Sequence, residues 1–290
     1  MPIVAVPNVS EGRDHQLIDR LGEVLRGGGA RVLDIHADAA HHRSVFTVTG
    51  SGEDLGRAVL ALAGACKEQL DLREHSGMHP RLGALDVCPF VPHDMPIDEA
   101  VHLAHRVGEA IADNLDLPIY FYGAAAKRPE TRELPDLRRG GLDVLTERAL
   151  GDLRPDEGPR SIDPRYGVVC VGARDVLVAF NVWIDAPAER ADEIASRVRA
   201  QGGGLPGLRA LGIAVDDSRS QVSMNLTDPD QAGIDHAFEA VATAANELAI
   251  PITATEIIGL VPEKFLPKAN AKAARLLIEP GRSLESALAT

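Results

Sequence analysis

Aromatic side chains supply only 3% of the 290 residues, with one Trp, three Tyr and six Phe. So few rings cannot build the stacking platforms that hold single-stranded nucleic acid. Cationic charge is also short: 30 Lys and Arg stand against 43 Asp and Glu, a formal charge of −13. A phosphate backbone or an anionic membrane surface needs a cationic face, so no nucleic-acid and no membrane partner is expected. Cys66, Cys88 and Cys170 are the three cysteines, far apart, in apolar contexts and without a CxxC pair. An odd, unpaired set makes no disulfide framework and reads as reduced core thiols of a cytoplasmic protein. No apolar run approaches the ~20 residues of a membrane helix. The opening MPIVAVPNVSEG lacks the basic lead and apolar stretch of a signal peptide. G-x-S-x-G, Walker A and catalytic-cysteine contexts are absent.

What remains is an ordinary globular composition, 45% apolar and 25% charged, long enough for two subdomains. Periodicity gives a strand at Ile3–Val6, a helix carrying Leu17, Ile18, Leu21, Val24 and Leu25 on one face, and strands at Arg31–Ile35 and Val45–Thr49. A helix over Glu53–Leu70 and a strand at Ala84–Cys88 complete a βαββαβ order. From Val176 to Ile258 the plan recurs: strand, helix Ala188–Ala200, strands Ala210–Val215 and Gln221–Thr227, helix Gln231–Leu248, strand Ile252–Ile258. Between the two lie a helix at Asp98–Leu115, a strand at Ile119–Tyr122, and a segment 127–164 rich in Arg, Asp, Gly and Pro. That segment reads as a long irregular connection interrupted by a short helix at Gly141–Leu150. The fold class expected is α/β of the α+β type, two ferredoxin-like subdomains divided near Ala173 into 1–173 and 174–290.

Nine of the ten histidines precede residue 110, which is where proton chemistry is to be sought. The stretch EHSGMHPRLGALDVCPFVP sets His75, His79 and Arg81 among Gly77, Pro80 and Gly83, directly before an apolar strand. His75 and His79 have the i, i+4 spacing of a metal pair, but Gly77 and Pro80 break the helix such a pair requires, so no metal is expected. His102 and His105 share a face of an amphipathic helix and are read as its solvated edge. His41 and His42 lie in the polar loop ADAAHHRS and either contact a ligand or are simply exposed. Gly202–Gly207 satisfies G-x-G-x-x-G by letter, yet a helix precedes it and Pro206 breaks the turn after it, which is wrong for a dinucleotide site. In the second half Asn181, Gln221, Ser223, Asn225 and Glu256 stand opposite the apolar strand faces. Short neutral hydrogen-bonders suit a polar cavity wall better than a solvated surface.

The strings VPNVSEG, HHRSVFTVTG, HPRLGALDVCPFVP, LPIYFYGAAA, GARDVLVAFNV, QVSMNLTD and EIIGLVPE, in that order, closely resemble the formiminotransferase domain family from Pro2 to about Pro267. The resemblance implies two subdomains whose sheets face one another, helices outside, with a folate between them. It implies transfer of a formimino group between N-formimino-L-glutamate and tetrahydrofolate, a step of histidine breakdown and one-carbon metabolism. The histidine of its HPR motif, here His79, is implied to be catalytic. Its folate-contacting stretch falls on Gly158, Pro159, Arg160, Ser161, Ile162, Asp163, Pro164, Arg165, Tyr166 and Gly167. A homodimer is expected by the same resemblance. Animal members carry a further cyclodeaminase domain, for which no counterpart is expected here, and their loop differs from ADAAHHRS.

Moving a carbon between two amines requires one nitrogen to lose a proton and the other to gain one, which a near-neutral base such as His79 can do. Substrate carboxylates need cations, and Arg81, Arg43 and Arg174 lie inside matching motifs. With them His42, Asn181, Asn225 and Glu256 are candidate substrate contacts. Tetrahydrofolate would be a co-substrate, with no metal. Formyl transfer from 5-formyltetrahydrofolate, a non-catalytic folate or small-molecule binding module, and a metal hydrolase at His75 and His79 are the alternatives the residues leave open.

Overall fold

Asp14 and Ser51 start the first two helices by accepting an otherwise unpaired amide, Leu17 N on Asp14 Oδ1 at 3.0 Å and Asp54 N on Ser51 Oγ at 3.1 Å. The computed structural model describes residues 3–77, 79–93 and 95–290; Pro2, where the resemblance begins, lies outside them. They form two units, one ending at Asp175 and one running Val176–Thr290.

The first unit begins β1 (Ile3–Ala5), β2 (Asn8–Val9), α1 (His15–Gly27), β3 (Arg31–Asp38), β4 (Arg43–Gly50), α2 (Gly52–Gln69) and β5 (Leu85–Pro92). β1 and β2 are two pieces of one strand between β4 and β5, and β3 flanks β4, all antiparallel. The strand expected at Ile3–Val6 is therefore longer and interrupted. Pro7 has no amide for the ladder, although its carbonyl still accepts from Phe46 N at 2.9 Å.

The chain continues as α3 (Ile97–Leu115), β6 (Ile119–Gly123), α4 (Leu134–Arg138), α5 (Gly141–Leu150) and β7 (Val169–Ala173). β7 lies parallel between β5 and β6 and brings the sheet to seven strands. Neither β7 nor this parallel pairing was expected, and segment 127–164 is more ordered than an irregular connection. Leu137, Leu145, Ala149, Leu153 and Ile162 from it bury against Val87, Tyr120, Tyr122 and Cys170 on one face of the sheet. The opposite face packs Phe46, Val48, Phe90, Phe121 and Val171 under α1, α2 and α3.

The second unit comprises β8 (Val178–Ile184), α6 (Ala188–Val198), β9 (Leu208–Ala214), β10 (Ser220–Leu226), α7 (Ile234–Glu247), β11 (Ile252–Ile258), α8 (Lys272–Arg275) and α9 (Leu284–Ala289). Its antiparallel order is β11-β8-β10-β9, the arrangement the βαββαβ order implies. Alternation decides the faces: Val178, Phe180, Val182 and Ile184 are fully buried with Ile194, Phe238 and Val241 of the helices. Gly202–Gly207 follows α6 through a short turn rather than joining a strand to a helix. Among the described residues no helix is long and apolar enough to cross a membrane.

Candidate active site

Asp86 organises the site. It sits on β5 with no exposed surface, an acid inside an apolar run, so it must be paired. Arg43 Nη1 and Arg138 Nη2 donate to its Oδ2 at 2.7 and 2.6 Å, and Leu82 N donates to Oδ1 at 2.6 Å. Burial alone would raise the Asp86 carboxyl, but the guanidinium groups of Arg138 and Arg43 outweigh it and hold it well below the usual range. Arg43 also donates Nε to Asn8 Oδ1 at 2.9 Å, which ties β4 to β2. The segment 127–164 thus delivers Arg138 to the same carboxylate oxygen that Arg43 holds, which leaves the triad with one net positive charge.

His79 stands half-buried beside this triad, in the loop that leads into β5. Its Nδ1 lies 2.8 Å from Pro80 O. A carbonyl can only accept, so Nδ1 carries the proton and Nε2 presents the lone pair. Burial first, and then the charges of Arg43 and Arg138, push its pKa well below the ordinary value. The ring is therefore a neutral base at physiological pH.

Three further histidines crowd the same loop. His41 is 6% exposed, its ring centroid 5.8 Å from that of His79 and tilted by 48°. Asp38 holds it twice, through the backbone N at 2.8 Å and through Nδ1 at 2.6 Å. His42 has φ 49°, the left-handed region in which histidine is tolerated better than most residues. Its Nδ1 accepts from Gly12 N at 3.1 Å, and its ring stacks on His75 at 4.0 Å. His75 donates Nε2 to His42 O at 3.0 Å and takes Arg81 Nη1 on Nδ1, so both its nitrogens are occupied and neither is open to a metal. Burial first, then Arg81, lowers its pKa to about 4. Arg81 also donates Nη2 to Gly77 O at 2.8 Å, so it braces the loop it belongs to. A side chain on Gly77 would meet His41 O and His42 Cβ at 2.7 Å, which is why glycine stands there.

Matches to known proteins bear on this cluster. The family model described as formiminotransferase domain, N-terminal subdomain, matches residues 2–174, and the one described as formiminotransferase domain matches 179–279. The chain belongs to the formiminotransferase domain family. A Streptococcus pyogenes family member, a glutamate formimidoyltransferase, is 38% identical over 91% of this chain and 90% of its own length. A Thermoplasma acidophilum protein of the same description is 35% identical over 91% and 89%. The pig formimidoyltransferase-cyclodeaminase is 37% identical over 93% of this chain, which spans 52% of that relative.

The stretch implied to contact folate, Gly158–Gly167, ends beside the His79 loop. Val168 N donates to Leu82 O at 2.9 Å and Ala84 N to Tyr166 O at 2.8 Å. The approach is so close that a side chain on Gly83 would lie 1.8 Å from Val168 O. Arg160, Ser161, Asp163 and Pro164 are exposed, whereas Ile162 is buried. Arg165 and Lys67 each lie over the Tyr166 ring, beside an open cavity of about 600 Å³ that these three residues line with Asn114. Arg174, at the end of β7, rests its guanidinium beside Tyr122 and donates Nη1 to Asp175 O at 3.0 Å.

In the second unit Leu211, Ser223, Asn181 and Glu256 form one row across the four strands. Asn181 is 2% exposed and donates Nδ2 to Glu256 Oε2 at 3.2 Å; Trp183 Nε1 donates to the same oxygen at 3.4 Å. Gln221 is 1% exposed with no hydrogen-bond partner on Oε1 among the described residues. Asn225 differs: it is exposed, beside Ala179 and Arg209. Of the paired histidines on α3, His102 is exposed, but His105 packs edge-on against Phe121 at 4.7 Å and bonds Ala125 O, so only the first is a solvated edge.

Asp86, Arg138 and the Asp38–His41 pair escaped sequence reasoning. Asp86 did carry a signal, since a lone acid within Ala84–Phe90 demands a buried cation. Arg138 carried none, because its partner is 52 residues away.

Proposed function

We propose that this chain catalyses folate-dependent transfer of a formimino group between N-formimino-L-glutamate and tetrahydrofolate, a step of histidine breakdown, with His79 as general acid–base. The single observation that carries the reading is the state of that ring. It is anchored through Nδ1 on Pro80 O, and burial, followed by the charges of Arg43 and Arg138, holds its pKa well below the ordinary value. Family membership and the two glutamate formimidoyltransferase relatives support the substrate pair.

In the reaction the folate amine attacks the formimino carbon and gives up its proton, and a tetrahedral carbon bonded to both amines forms. As the carbon–nitrogen double bond re-forms, the bond to glutamate breaks and the glutamate nitrogen takes a proton. A positioned base typically contributes ~10²–10⁴-fold to such a step. Folate is itself the one-carbon carrier, so the chemistry calls for no further cofactor. Arg43, Arg81 and Arg138 give the site a cationic field that attracts the substrate carboxylates. We assign folate contact to Gly158–Gly167, and further substrate contacts to His42, Arg174, Asn181, Asn225 and Glu256. Cys66, Cys88 and Cys170 are free and buried, which supports placement in the cytoplasm.

Incubating the protein with tetrahydrofolate and formiminoglutamate tests this. Released glutamate and a stoichiometric formimino-folate are expected. Absence of both products, with folate bound, would overturn the assignment.

A further inference from the structure

The net proton movement of this transfer runs from the folate amine to the glutamate nitrogen, two different atoms on opposite sides of the reacting carbon. A single imidazole would have to serve both in turn. The structure holds two imidazoles side by side, and the geometry points to His41, fixed by Asp38, as the second proton carrier of the reaction, working as a pair with His79. The inference rests on the transferase reading given above.

Three observations carry it. The rings are neighbours, 5.8 Å between centroids. Each has its Nδ1 tied to an acceptor, His79 to Pro80 O at 2.8 Å and His41 to Asp38 Oδ2 at 2.6 Å. In both, therefore, Nε2 is the nitrogen left for chemistry. The two acceptors are different in kind. The Nδ1 of His79 donates to a neutral carbonyl, whereas the Nδ1 of His41 donates to a carboxylate, the contact that orients the imidazole of a hydrolase triad. Two neighbouring imidazoles held by unlike partners can take different parts in one proton transfer.

Asp38 is held for this task. Burial would raise its carboxyl, but the hydrogen bonds and charge of His41 more than offset that and keep it ionised. His41 itself is 6% exposed, so its proton is sheltered from bulk exchange.

The step balances. His79 Nε2 takes the proton from the folate amine as the new carbon–nitrogen bond forms. His41 Nε2–H gives its proton to the glutamate nitrogen as the old bond breaks, and the departing electron pair becomes that nitrogen's lone pair. His79 is then protonated and His41 neutral; transfer of one proton from the first ring to the second, directly or through water, restores the pair without any further reactant.

The test measures kcat and KM for Asp38→Asn, His41→Asn and the double variant beside the parent protein. Parent turnover in the same assay establishes the transferase reading first, so failure of that reading is seen separately. Each single variant should lose at least about 30-fold in kcat, within the range general catalysis supplies, while both KM values stay within about threefold. The double variant should be no slower than the slower single one, because the two residues act as a unit. Added imidazole should restore turnover to His41→Ala, an effect that a merely structural role would not show. Folate binding and thermal midpoints report folding; if His41→Asn fails to fold, Asp38→Asn decides. Parent-like kcat in Asp38→Asn, a change confined to KM, or absence of imidazole rescue would overturn the proposal.

Discussion

Asp86→Asn removes one negative charge from a place with no solvent exposure. The replacement keeps the shape of the side chain and an acceptor for Leu82 N, so what is lost is the charge facing Arg43 and Arg138 at 2.7 and 2.6 Å. Removing one partner of a buried ion pair typically costs about 3–5 kcal/mol, because the other charge stays buried and uncompensated. Here two guanidinium groups are left. For a unit of this size about 1 kcal/mol moves the midpoint by roughly 2–4 °C, so a loss of roughly 6–20 °C is expected. The pH dependence has a fixed sign. The folded carboxyl is held well below its unfolded value of ~3.9, so its stabilisation is fully present above that value and fades as the pH falls below it. Thermal unfolding followed by circular dichroism at pH 7 and near pH 3 reads both effects. A variant within about 2 °C of the parent at pH 7, or a difference that fails to shrink on acidification, would refute the reasoning.

Gly83→Ala places a methyl carbon 1.8 Å from Val168 O, where backbone rather than a flexible side chain must yield. A cost of at least about 1–3 kcal/mol is expected, read as a lower thermal midpoint, and an unchanged midpoint would contradict the close approach. His75 titrates near 4 in the fold against ~6.5 unfolded, so the unfolded chain binds more protons in that window. Stability should fall from pH 6.5 to 4, and His75→Asn should flatten that fall in urea midpoints; equal slopes would contradict it. Arg81→Ala weakens both the cationic field and the loop brace, and KM for formiminoglutamate should rise several-fold; an unchanged KM would place the carboxylate partner elsewhere.

The strands and helices of the second unit were legible because their alternation is clean. Val178, Phe180, Val182 and Ile184 point one way and Asn181 the other, and β8, β10 and β11 fall within two residues of their expected bounds. The same holds for α5, expected and found at Gly141–Leu150. β7 was hidden for a different reason. A parallel strand buried on both faces reads as a plain apolar run, and VVCVGA stood at the edge of a stretch whose Gly, Pro and charges signalled irregularity. Its neighbours β5 and β6 come from far earlier in the chain, a relation that local pattern does not encode. The site divides in the same way. His79 and Arg81 stand two residues apart in sequence and share one loop with breakers around it. The charge balance that sets the state of His79 comes from Arg43, Asp86 and Arg138, brought together only by the sheet and the helix over it. His41 was visible as a loop residue, but its tie to Asp38 and its contact with His79 are properties of the folded loop.

Rapid-quench measurement of a single turnover with His79→Gln most directly tests whether the His79 imidazole moves a proton in this transfer. With folate bound as tightly as in the parent, the rate of glutamate release should drop by about 10²–10⁴-fold. Release at the parent rate from a folded, folate-loaded variant would contradict the account.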